Sequence, residues 1–66
     1  MDLESYLGKK IKVTFINNQV LYGKANLFSN KLDTEDELYD ELSIETDKYP
    51  YVTFNENEVK EIEIIN

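Results

Sequence analysis

Between residues 10 and 28 the sequence reads KIKVTFINNQVLYGKANLF, two alternating runs separated by a pair of asparagines. In the first run Ile11, Val13 and Phe15 fall on one face, with Lys10, Lys12 and Thr14 on the other, which is the period of a half-buried strand. The second run offers two faces, Leu21, Gly23, Ala25 and Leu27 against Val20, Tyr22, Lys24, Asn26 and Phe28. The turn decides which points inward. A two-residue turn at Asn17 and Asn18 sets Phe15 opposite Val20 and Ile11 opposite Lys24. A three-residue loop instead places Ile11, Val13 and Phe15 on the face of Leu21, Gly23 and Ala25. A slip of one residue exchanges every side chain, so the apolar match selects the odd loop. Such a loop needs one residue near the left-handed region, and Asn18 tolerates that conformation.

Gly23 lies inside the second strand, where glycine is unfavourable unless the strand bends sharply or meets another backbone. Downstream, Leu42 and Ile44, then Val52 and Phe54, then Val59, Ile62 and Ile64 are expected to point inward from three further strands. Pro50 belongs at the start or edge of its strand because it cannot donate to a ladder. Asn55, followed three residues later by Glu58, is an N-cap pattern for one tight turn between the last two strands. At the N-terminus, Leu3, Tyr6 and Leu7 have helical spacing, and Gly8 ends the segment. The expected order is a short helix and five antiparallel strands. In so short a chain, strongly bent strands hide their edges best by curling into a small barrel, with the helix over one end.

The chain has 66 residues and reads as one domain, 1–66, with an acidic insert at about residues 30–41. A chain of this size buries only about 60% of the surface its unfolded form exposes. Fourteen acids against seven lysines give a net charge of −7, a field that repels phosphate backbones and disfavours single-stranded RNA as a partner. Cysteine, histidine and arginine are all absent from the sequence. That removes disulfides, thiolate nucleophiles, the usual zinc sites and imidazole chemistry, so no enzyme activity and no cofactor are expected. No apolar run approaches a membrane span or a signal core, and the expected location is the cytoplasm, with no membrane partner.

The run LGKKIKVTFINNQVLYGKANLF resembles the first Sm motif of the Sm and Sm-like (LSM) proteins. Leu7 and Gly8 precede the helix-to-strand junction, Ile11, Val13 and Phe15 alternate, Asn17 and Asn18 make the polar turn, and Gly23, Ala25 and Phe28 follow. The segment YVTFNENEVKEIEII extends the likeness, which covers most of the chain outside residues 30–41. More narrowly, the chain is similar to small acidic Sm-like proteins of Gram-positive bacteria and their mobile elements, which carry an acidic insert at this place. The resemblance implies a bent five-stranded Sm-like barrel of the SH3 type. It also implies rings built by pairing the fourth strand of one subunit with the fifth of the next, and binding of uridine- or adenosine-rich single-stranded RNA at the pore. The family's RNA-reading aspartate and asparagine are replaced here by Ser29, Asn30, Lys31 and Leu32, leaving Asn30 as the stand-in. The second motif's Arg-Gly turn is replaced by Asn55 and Glu56, which removes both a phosphate-binding charge and a planar stacking group.

Residues 33–41, DTEDELYDE, hold six carboxylates. A calcium loop is excluded because Leu38 stands where the sharp turn needs glycine and Ile44 where a bidentate glutamate is needed. An acid-base pair lacks the apolar pocket that would raise one pKa. The expectation is a solvated insertion, in which Thr34 and Glu37 form a capping box and Leu38 and Leu42 lie one turn apart. The alternative is an acidic contact surface, Asp33, Glu35, Asp36 and Glu37, for a basic protein partner. Lys9, Lys10 and Lys12 are expected to solvate a sheet edge. Tyr22, Tyr49 and Tyr51 offer amphipathic contact area, and Ile16, Val20 and Ile65 add apolar surface, which points to self-association. The functional expectation is a non-enzymatic assembly or protein-interaction module, homo-oligomeric through edge strands. Single-stranded RNA binding through Asn30 and Asn55 is the alternative.

Overall fold

In the computed structural model, which describes residues 2–30 and 39–65, the first two strands pair in the odd register. Strand β1 (Lys10–Phe15) runs antiparallel to β2 (Val20–Ser29), with Val13 opposite Leu21 and Ile11 opposite Gly23. The Phe15 N–H donates to the Gln19 carbonyl at 2.8 Å, and the Asn18 N–H returns to the Phe15 carbonyl at 2.8 Å, so Ile16, Asn17 and Asn18 form the loop. Asn18 has φ 71°, the left-handed conformation the three-residue loop requires. The Asn17 carboxamide oxygen accepts the Gln19 N–H at 3.0 Å and stiffens the turn.

β2 pairs with β1 through its first half and with β3 (Glu41–Glu45) through its second, with Lys24 shared by both ladders. The register shifts between Ala25 and Leu27, the kind of irregularity that bends a strand and increases its twist. Gly23 sits at the crossing: a Cβ there would lie 2.5 Å from the Glu45 carbonyl oxygen. The glycine is therefore required by a close backbone approach.

The remaining strands are β4 (Val52–Asn55) and β5 (Val59–Ile64), and the sheet order is β4-β3-β2-β1-β5. Consecutive strands β4 and β5 thus stand at opposite ends of the sheet, joined only by a 3-10 turn, Glu56–Glu58. In a flat sheet the outer strands would lie about 19 Å apart, whereas three 3-10 residues span roughly 6 Å. The sheet must curl until its ends nearly meet. Among the described residues the ends remain unpaired, so the five antiparallel strands form one curled sheet that is not closed.

The curl encloses Leu3, Ile11, Val13, Ala25, Leu42, Ile44, Phe54 and Val59. Leu3 comes from the expected short N-terminal helix, a 3-10 turn over Leu3–Tyr6. With three residues per turn, Leu3 and Tyr6 face the core together while Leu7 is left exposed. Gly8, at φ +85°, ends the turn, and its N–H donates to the Ala25 carbonyl at 2.7 Å, fastening the turn to β2.

Two expectations are corrected. β1 is flanked by β2 and β5, so Lys10 and Lys12 lie on an interior strand of the sheet, with Lys9 just before it. Ile64 stands opposite buried Ile11 but is 47% exposed, because β5 ends the sheet and nothing covers its outer flank among the described residues.

Candidate functional site

Three surfaces carry the chemistry. The first is the pair of open edges. On the β4 side, Phe15, Ile16 and Leu21 of the hairpin face Val52 and Phe54 across a largely apolar groove of about 410 Å³. Ile16 is 67% exposed. On the β5 side, Ile62 is half-buried and Ile64 is exposed. Among the described residues each edge therefore combines unpaired backbone with apolar side chains, a combination that soluble monomers normally blunt.

The second surface is a groove of about 570 Å³ at the other end of β3, where β1, β2 and the loop between β3 and β4 converge. Tyr22 and Tyr49, separated by 27 positions in the chain, both line it, together with Lys10, Lys24, Lys48 and Ile65. The loop bearing Tyr49 is fixed by reciprocal bonds: the Tyr49 N–H donates to the Thr46 hydroxyl at 2.8 Å, and the Thr46 N–H donates to the Tyr49 carbonyl at 3.1 Å. Lys48 holds its ammonium 5.8 Å from the centre of the Tyr49 ring, within cation-π range. Tyr51 is not part of this groove. It lies beyond Pro50 in a smaller depression with Leu27 and Thr53.

The third surface is the opposite end of the sheet, where Ser29, Glu41 and Asn55 form one row across β2, β3 and β4. Asn30 and Asn55 thus come to the same end, with a carboxylate between them. Asn55 holds the following turn in place. Its carboxamide oxygen accepts the Asn57 N–H at 2.9 Å, while its own N–H donates to the Glu58 carboxylate at 3.0 Å. This is the capping box expected from Asn55 and Glu58. Asp33, Glu35, Asp36 and Glu37, with the Thr34 cap, lie outside the described residues.

Comparison with known proteins returns no matching family model, no similar curated protein and no similar solved structure. Among the described residues no helix is long and apolar enough to cross a membrane.

Ser43 carries no signal in the sequence that would single it out. It alternates with inward Leu42 and Ile44, yet is 5% exposed, and its hydroxyl lies 2.7 Å from that of Thr53 on β4. Its alternation marks it as outward, and in the sheet it is flanked by Leu27 and Thr53, its neighbours across the two ladders.

Proposed function

We propose that the chain is a non-enzymatic, Sm-like assembly module whose curled sheet is a small barrel of the SH3 type, completed by neighbouring copies. β4 of one copy pairs with β5 of the next. One observation carries this reading: among the described residues the two strands with an open outer edge are β4 and β5, and both present apolar side chains beside that edge.

The physical fit is heterologous. Adding β5 of a second copy to β4 satisfies both rows of edge groups and brings Ile64 toward the apolar groove lined by Ile16, Leu21 and Val52. Because the contact joins different surfaces, it propagates from copy to copy and ends in a ring if the rotation closes. The sequence resemblance to Sm-like proteins supports the same strand pairing. Hydrophobic burial and strand addition supply the attraction, against a net charge of −7 per copy.

A single exchange tests it. Ile64→Lys puts charge on the outer flank of β5, where the side chain is already half exposed, and should convert the assembled particle to monomer while leaving the circular dichroism spectrum unchanged. Assembly that survives the exchange unaltered would refute pairing through this edge.

A further inference from the structure

The lysine and tyrosine groove has features that edge pairing does not use. Lys10 stands directly opposite Lys24 in the β1–β2 ladder, an arrangement of like charges that destabilises a strand pair. Lys24 has Glu45 as its partner on the other side, in the β2–β3 ladder. On the side of Lys10 away from Lys24 lies apolar Ile65, whose N–H donates to the Lys10 carbonyl at 3.0 Å. Three of the chain's seven lysines line this one groove, against two lining carboxylates, Glu45 and Asp47, in a protein of net charge −7. The other lysine of β1 is matched, Lys12 standing opposite Glu63.

The walls are of a different chemistry. Tyr22 is 56% exposed and Tyr49 45% exposed, so both rings present surface to the groove rather than to the core. The loop carrying Tyr49 is already held by its Thr46 bonds, so little conformational entropy is lost when something binds against it. The volume, about 570 Å³, lies in the range of small-molecule sites.

We propose that this groove binds a small aromatic anion, its acidic group held between Lys10 and Lys24 and its ring against Tyr22, Tyr49 and Ile65. The acidic group neutralises the opposed ammonium pair, and the ring covers exposed tyrosine faces. A phosphate monoester and a carboxylate share this chemistry. The groove's lining comes entirely from one copy of the chain.

The test uses phenyl phosphate, benzoate and inorganic phosphate, titrated into the full chain at low salt and followed by backbone amide shifts. Saturable binding of phenyl phosphate or benzoate is expected, with shifts centred on Tyr22, Gly23 and Tyr49, and the tighter of the two names the acidic group. Inorganic phosphate should bind at least about ten-fold more weakly, because it lacks the ring. The pair Lys10→Gln and Lys24→Gln should weaken binding by at least about ten-fold. The matched pair Lys9→Gln and Lys60→Gln, which makes the same change in net charge away from the groove, should change it by no more than about two-fold. The proposal is overturned by absence of saturable binding into the millimolar range, by equal effects of the two lysine pairs, or by inorganic phosphate binding as well as the aromatic anions.

Discussion

Phe15 on β1 and Phe54 on β4 meet edge to face, with ring centroids 5.5 Å apart and planes at 86°. Three strand-to-strand steps separate β1 from β4 in the ladder, so this contact exists only because the sheet has curled onto itself. Edge-to-face geometry places the positive rim of one ring on the negative face of the other.

Truncating this pair should be costly. Phe54 is 2% exposed, and Phe54→Ala should lower unfolding free energy by about 3–5 kcal/mol, much of the total for so small a domain. Phe15, only partly buried, should cost less. A double-mutant cycle measured by urea unfolding should return a coupling of about 0.5–1.5 kcal/mol. Strict additivity would mean that the rings do not touch in solution.

Gly23→Ala should destabilise the protein although alanine is otherwise a mild exchange. Its Cβ would meet the Glu45 carbonyl oxygen at 2.5 Å, a backbone atom that moves only with β3. A loss of roughly 1–3 kcal/mol is expected from chemical denaturation, as for other overpacked sites. A variant as stable as the parent would place the two strands farther apart.

Asn55→Ala removes the oxygen that caps the turn between β4 and β5, at a cost of about 1 kcal/mol. This turn sets how β5 leaves β4, so the variant should also weaken assembly. Both effects can be read from one thermal melt and one sedimentation run. Stability within about 0.2 kcal/mol of the parent would deny the cap its role.

The sequence reads the acidic insert as a solvated insertion, and on that reading converting Asp33, Glu35, Asp36 and Glu37 to their amides should change unfolding free energy by no more than about 0.5 kcal/mol. The melting curve checks this directly. A large loss would show that the insert is tied into the fold.

Much of the local structure is legible in the sequence because period-2 patterning leaves little freedom. The match of Ile11, Val13 and Phe15 to Leu21, Gly23 and Ala25 is enough to choose a three-residue loop, and that loop leads to Asn18 at positive φ. The spacing of Asn55 and Glu58 likewise gives a capping box. What cannot be read depends on which strands become neighbours. Lys10 and Lys12 look like edge lysines until β5 is laid beside β1, and Ile64 looks like core until β5 is found to end the sheet. Tyr22 and Tyr49 carry no shared sequence signal, since only the curl of β2 and the path of the loop after β3 bring them to one groove. The N-terminal segment reads as a short helix in the sequence and is one, its 3-10 type being the part the pattern leaves open, because spacings of three and four residues differ little over one turn.

The central claim is that β4 and β5 are joined between copies. Its most direct test is the native mass of the purified particle by light scattering across the micromolar range, with absorbance at 260 nm read on the same peak. Edge pairing predicts a defined dimer or ring whose mass is an integral multiple of the 7.8 kDa chain, with no nucleic-acid absorbance. A monomer throughout that range, or a particle that forms only when nucleic acid is present, would contradict it.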